Sequence, residues 1–365
     1  MNGFTRIATK SQSYLKPALS RATPNVAMAG RYRMPVESSQ HSCTLMAFPS
    51  IESTDSEDDL KLLQNEIATI ANTISKFEPV HLFARSQLID QAKALIDSNV
   101  FVKEGCADQL WIRDTGSVYV QDTVDNKVTA VNFNFNYWGA KLPNTGDEAL
   151  ALSIAEQANE PLVTSSIVLE GGAIEHDGEG TFLGTESCII NDKRNSGKSK
   201  SDLEAELAAI LGVSHFVWLP GIVGEDITDD HIDAVARFIK PGVVLLRKPH
   251  PSAPHSMQRS YKENIAILSK ARDARGRTLT IHEVDECNIE LFGPADEANG
   301  VVASYTNYYL VNGGVVMPEF GQKTDEKALA LLEDLFPERE VVQVPLNMLP
   351  RTGGGIHCAT QQVPA

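Results

Sequence analysis

LKLLQNEIATIANTISKFEPVHLF, residues 60–83, sets a helix directly ahead of a strand. Leu60, Leu63, Ile67, Ile70 and Ile74 recur at helical spacing and share one face, so the first part reads as an amphipathic helix. Pro79 cannot continue it, and the apolar Val80-His81-Leu82-Phe83 follows as a short strand. A helix feeding a strand is the crossover element of α/β folds. The alternation continues outward. Residues 88–96, 201–211, 261–271 and 327–335 read as helices, the second ended by Gly212. Residues 118–120, 128–135, 167–169, 181–183, 243–247, 279–284, 308–311 and 341–344 read as strands separated by Gly or Asp/Asn turns. No Pro/Gly/Ser-rich linker interrupts the series, which predicts one α/β domain over residues 31–365.

Residues 1–36 contain no Asp or Glu but six basic side chains, Arg6, Lys10, Lys16, Arg21, Arg31 and Arg33. Residues 1–30 therefore read either as a disordered tail or as a mitochondrial transit segment, and are set aside from the fold. The chain carries a formal charge of −16, which excludes nucleic acid and anionic membrane surfaces as natural partners and suits a cationic small molecule. Its five cysteines form no CxxC pair, which points to a reducing compartment, with the cytoplasm the first expectation. None of the nine histidines sits in a zinc-type cluster, so neither metal nor cofactor is expected.

Four polar segments stand out. Arg351-Thr352-Gly353-Gly354-Gly355-Ile356-His357-Cys358 brings three glycines up to a cysteine, permitting the close backbone approach that delivers a thiol into a crowded pocket. A cysteine near the C-terminus can equally be a buried bystander. Thr228-Asp229-Asp230-His231-Ile232-Asp233 precedes an apolar pattern through Val235, Phe238 and Ile239, and reads as a capped helix start that leaves His231 without a task. Trp111-Ile112-Arg113-Asp114 lies in a strand-like stretch and is by itself a surface turn; Leu169-Glu170-Gly171-Gly172 is by itself a hairpin. Asp114, Glu170, His231 and Cys358 are 56, 61 and 127 residues apart, as a repeat near 60 residues with one functional position per unit would require.

The strings WIRDTGSVYV, FNYWGAK, LEGGAIE, DDHIDAVARF, ASYTNYYLVNGGVVMPEFG and GGGIHCATQQ closely resemble the agmatine deiminase and bacterial-type peptidylarginine deiminase family, collinearly over residues 31–365. The resemblance implies a five-bladed α/β propeller of the guanidino-group-modifying superfamily with a central active site. Carried over by position, it makes Cys358 the nucleophile and His231 the proton carrier. Asp114 and Asp233 become the carboxylates that grip a guanidinium, Glu170 the acid that orients His231, and Trp111 a substrate contact. The implied reaction is deimination through a covalent amidino-thioether, with agmatine the first choice of substrate and peptidyl-arginine or another guanidine the alternative; a homodimer is compatible with it. The chain departs from the family pattern at Leu45-Met46-Ala47-Phe48-Pro49, at Ser117 where proline is expected, and in a glycine run that lacks Asn. Because neighbours in an extended strand point to opposite faces, His357 is expected to lie outside the pocket of Cys358.

Overall fold

A computed structural model describes residues 30–292 and 300–365. In chain order its strands are β1 (Tyr32–Arg33), β2 (His41–Ala47), β3 (Val80–Ala84), β4 (Val100–Glu104), β5 (Val118–Asp122), β6 (Val128–Asn132), β7 (Leu162–Thr164), β8 (Glu175–His176) and β9 (Thr181–Thr185). They continue with β10 (His215–Leu219), β11 (Ala236–Lys240), β12 (Val243–Lys248), β13 (Thr280–Asp285), β14 (Tyr309–Val311), β15 (Gly314–Glu319), β16 (Glu340–Pro345) and β17 (Thr360–Pro364). Five sheets result, ordered β1-β5-β6-β7, β8-β9-β10, β11-β12-β13, β14-β15-β16 and β17-β2-β3-β4.

Each sheet repeats one unit. An antiparallel pair (β5/β6, β8/β9, β11/β12, β14/β15) is followed by a parallel partner (β7, β10, β13, β16). A parallel partner needs a crossover, which is why a helix lies between the last two strands of each unit. The fifth unit is assembled from both ends of the chain: Thr360 of β17 pairs antiparallel with Met46 of β2, and β2 runs parallel to β3. The C-terminal strand thus closes a pseudo-symmetric five-bladed α/β propeller, the fold class expected from the sequence.

The crossover helices follow local sequence rules. Glu57–Ile74 starts at Ser56, whose side chain accepts from the Asp59 amide, and its first turn carries Glu57, Asp58 and Asp59 against the positive helix end. It buries Leu63, Ile67, Ile70 and Ile74 in one cluster with Val80 and Leu82. Lys200–Leu211 opens on a Ser199/Asp202 capping box and ends at Gly212, φ 74°, where a β-carbon would stand 2.7 Å from the Tyr32 carbonyl oxygen.

Two expected elements differ. Residues 167–169 form no strand, because side-chain amides take the hydrogen bonds a neighbouring strand would make: Asn195 bonds both the amide and the carbonyl of Val168 (3.0 and 2.9 Å), and Asn134 reaches the Ile167 carbonyl (3.0 Å). The helix expected after Asp233 is strand β11. Ala236 to Ile239 are all buried, so the apolar pattern carries no period that separates helix from strand. The tail expected over residues 1–30 lies outside the described residues except for Gly30. Among the described residues no helix is long and apolar enough to cross a membrane.

Candidate active site

The segment leading into the first strand of every unit supplies a polar side chain to one place. Asp114 sits on the short helical turn Ile112–Thr115 before β5, and Glu170 on the residue ahead of the turn Gly171–Ala173 before β8. His231 and Asp233 flank and occupy the turn Ile232–Ala234 before β11. Asn307 precedes β14, and Cys358 lies in the turn that precedes β17. The long interval between His231 and Cys358 is therefore divided by Asn307, which supplies the member missing from the repeat.

These side chains converge. A β-carbon placed on Gly172 would stand 2.6 Å from His231 Nδ1, 3.0 Å from Asp114 Oδ1 and 3.1 Å from Asp233 Oδ2, so the glycine leaves room for three groups at one point. His231 Nε2 lies 3.3 Å from Glu170 Oε2, and His231 Nδ1 lies 3.8 Å from Asp114 Oδ2. The Cys358 thiol points at Asp233 Oδ2 (3.5 Å) and accepts from the Asn307 side-chain amide (3.3 Å). Asn307 Oδ1 in turn accepts from the backbone amides of His357 and Cys358, which fixes the turn that carries the thiol. Trp138 Nε1 and the Gly172 amide donate to the two oxygens of Asp114. Asp233 Oδ1 is buried and has no hydrogen-bond partner among the described residues.

Surrounding cations hold the set. Arg194, fully buried, donates from Nε to both Glu170 oxygens (2.8 and 3.0 Å), from Nη1 to Asp229 and from Nη2 to the Thr228 carbonyl. Asp229 also meets Lys141 Nζ at 2.7 Å. Asp229 and Asp230, which lead into His231, both take left-handed φ values, 66° and 73°. The Asp/Thr segment therefore caps no helix: the Thr228 hydroxyl accepts from the His231 amide (3.0 Å), and the carboxylates bind Arg194, Lys141 and Arg247.

The electrostatics follow from burial and charge. Burial works against the charged form of His231, but Asp114, Glu170 and Asp233 outweigh it and raise the imidazole to about 9. Burial raises Asp114 to about 6, with Glu170 and Asp233 adding to the shift and His231 opposing it. Glu170 feels the same burial, yet Arg194 and then His231 hold it below the usual carboxylate range. The Cys358 thiol is pushed well above its ordinary value by burial, then by Asp233 and Asp114. Without a ligand the site thus presents a protonated thiol, an imidazolium and a surplus of negative charge.

Of the residues singled out from sequence, Cys358, His231, Glu170, Asp114 and Asp233 are brought together. Trp111 packs against the glycine run, where a β-carbon on Gly354 would come within 2.5 Å of its ring, and shares one buried cluster with Trp138 and Cys358. His357 corrects the expectation. Cys358 lies in a turn, strand β17 beginning only at Thr360, so adjacent side chains need not diverge, and His357 Nδ1 binds Asp233 Oδ2 at 2.8 Å. Trp138 and Asn307 lay within strings already distinctive, FNYWGAK and ASYTNYYL, without an assigned role; Arg194 had no sequence signal.

A profile of the Porphyromonas-type peptidyl-arginine deiminase family matches residues 33–364. The chain belongs to this family. Within it, the agmatine deiminase of Pseudomonas aeruginosa (strain LESB58) is 36% identical over 359 residues, covering 92% of this chain and 96% of that protein. The agmatine deiminase of Stutzerimonas stutzeri (strain A1501) is 36% identical over 360 residues, with the same coverage, 92% and 96%. The solved structure of the agmatine deiminase of Enterococcus faecalis superposes with a TM-score of 0.86 at 28% identity, over 94% of this chain and 99% of that one.

Proposed function

We propose that this chain is an agmatine deiminase, hydrolysing agmatine to N-carbamoylputrescine and ammonia, with residues 31–365 acting as one deiminase domain in the reducing cytoplasm. The observation that carries the reading is the buried, unpartnered Asp233 Oδ1 beside Asp114 and a thiol: an acceptor without a donor, in a pocket with negative charge to spare, is a seat for a planar cation. Relatives that match 92% of this chain are agmatine deiminases, and the burial of every reacting group favours a slender substrate over an arginine in a peptide chain.

Asp114 and Asp233 align the guanidinium and localise its charge, making its carbon attackable. The arriving cation cancels the negative field that kept Cys358 protonated, and the thiol proton leaves to solvent. The thiolate adds to the carbon, forming the C–S bond. Imidazolium His231 protonates one amino group, and the C–N bond breaks to release ammonia and leave an amidino-thioether. Neutral His231 then takes a proton from water as the oxygen adds to the same carbon. Collapse breaks the C–S bond, returns the thiolate and gives the ureido product, whose extra proton passes to ammonia. Water is the only co-reactant. Glu170 keeps His231 oriented, and Arg194 keeps Glu170 ionised so that it does not take the proton itself.

Incubation with agmatine, free arginine and a blocked arginine peptide, with ammonia and ureido product measured for each, tests the reading. Turnover of agmatine well ahead of the other two is expected. Preference for the peptide would move the substrate to peptidyl-arginine, and ammonia from none of the three would remove the deiminase reading.

A further inference from the structure

Beneath the carboxylates lies a second charged layer with no step in the reaction above. His357, with a 2% exposed side chain, places Nδ1 at 2.8 Å from Asp233 Oδ2 and Nε2 at 2.8 Å from Glu37 Oε2. Each ring nitrogen has a carboxylate oxygen within hydrogen-bonding distance, so the ring cannot turn over without losing a contact. Glu37 is fixed in its turn: Oε2 takes Arg237 Nη2 at 3.0 Å with Arg113 Nη2 at 3.7 Å, and Oε1 takes the Leu310 amide at 2.9 Å. Arg237 also reaches Glu175 Oε2 (2.6 Å) and the Tyr308 carbonyl (3.1 Å). Directly or through Arg237, the Glu37 carboxylate therefore touches all five units of the propeller.

We propose that His357, braced from behind by Glu37, is the positioning residue that turns Asp233 so that Oδ1 faces the guanidinium, an inference that rests on the deiminase reading of the site. A carboxylate with both oxygens loose could present either edge or close on the thiol. With Oδ2 pinned, Oδ1 is the atom left open. The same pin fixes the backbone ahead of Cys358, so clamp and nucleophile are set by one ring. Burial alone would push the Asp233 carboxyl up, yet it lies below the ordinary range, and the bond from His357 is the largest opposing effect.

The test is alkylation of Cys358 in the full chain by 2-chloroacetamidine, a planar cation, against its neutral isostere 2-chloroacetamide, with rates read at the Cys358 peptide by mass spectrometry. Wild type should favour the cation. His357→Gln, which loses the donor to Asp233, should cut that preference by at least about tenfold, the worth of a charge-assisted hydrogen bond. His357→Asn, which keeps an amide donor near the Nδ1 position, should retain most of it. Glu37→Gln should lose less, and the Glu37→Gln/His357→Gln pair should fall no further than His357→Gln alone, because both act through one ring. Thermal melts report the structural cost separately, since a ratio of two rates on the folded protein does not depend on how much of it is folded. A preference unchanged in His357→Gln, equal loss in the Asn and Gln variants, or losses that multiply in the pair would overturn the proposal. Failure of the deiminase reading looks different: agmatine yields no ammonia while the alkylation preference and its loss persist.

Discussion

Glu170→Gln keeps the shape of the side chain and removes its charge, which makes it a direct probe of why His231 is protonated at neutral pH. The imidazole stands at about 9 against an ordinary 6.5, a difference worth about 3 kcal/mol in favour of the imidazolium. Burial opposes that shift; Asp114 is the largest contribution in its favour, and the hydrogen bond and charge of Glu170 are the next two. Losing Glu170 should therefore bring His231 down by about one unit or more, and the variant should lose roughly tenfold per unit in the fraction of active acid once the pH exceeds the new value. The assay is ammonia release from agmatine between about pH 5 and pH 10, plotted as kcat/KM, whose limbs report groups of the free enzyme. Wild type should hold a plateau from about 6, where Asp114 ionises, to about 9, where His231 deprotonates. In the variant the alkaline limb should move toward neutrality while the acid limb stays or moves down, since Asp114 loses a repelling neighbour. Stability should follow the same sign. A group raised in the folded state stabilises it fully below its unfolded value and loses that contribution as pH rises through the folded one, so in Glu170→Gln the alkaline loss of stability should be smaller and complete at a lower pH than in wild type. A uniform drop in activity with an unmoved alkaline limb would refute this account of His231.

Replacing Cys358 by Ala should abolish turnover with little change in thermal stability, whereas Cys43, Cys106, Cys188 and Cys287 should each be dispensable for activity; substantial turnover without Cys358 would end the covalent mechanism. Gly172→Ala should lower kcat/KM by about two orders of magnitude or more, because the new methyl would meet His231 Nδ1 at 2.6 Å and must displace the side chain that carries the proton; normal kinetics would mean that the three groups do not converge as described. Asp114→Asn and Asp233→Asn should each weaken binding of a cationic guanidine inhibitor by about tenfold or more, measured by isothermal titration, and unchanged affinity would remove both from the substrate site. Asn307→Ala, which frees the turn around Cys358 and removes the donor to its sulfur, should reduce kcat more than it raises KM; a pure KM effect would assign Asn307 to binding instead.

What the sequence could and could not reveal divides along a physical line. The amphipathic helices were legible because their burial is one-sided: Glu57–Ile74 and Lys323–Leu335 each bury a single stripe and carry capping residues at the expected end. Strand β11 was not, since both its faces are covered and a wholly buried run has no period. Residues 167–169 look like a strand and lack only a neighbour; whether a neighbour or an asparagine side chain takes the backbone bonds is decided by residues 134 and 195, and nothing local distinguishes the cases.

The candidate site was legible to the extent that it obeys the repeat. A circular array of similar units offers equivalent positions at the inner end of each first strand, so one polar residue per unit, at nearly regular spacing, suffices to build a centre from all five. Asp114, Glu170, His231 and Cys358 follow that rule, and the last interval is about two of the others; Asn307, which the structure places in that interval, lies 3.3 Å from the sulfur. Residues outside the repeat carry no such mark. Arg194 belongs to a helix within a crossover and Glu37 to the segment before β2, yet one fixes Glu170 and the other braces His357. His357 shows the limit most sharply, because alternation along a strand is sound physics applied to a segment that is not a strand. Gly353, at φ 99°, turns the chain ahead of it, and residues 356–359 form a turn in which neighbouring side chains can face one carboxylate. The glycines do permit close approach, since β-carbons on Gly354 and Gly355 would each stand 2.5 Å from a neighbouring side chain. That same freedom lets His357 and Cys358 share Asp233, so the feature that pointed to the nucleophile also removes the ground for separating it from its neighbour.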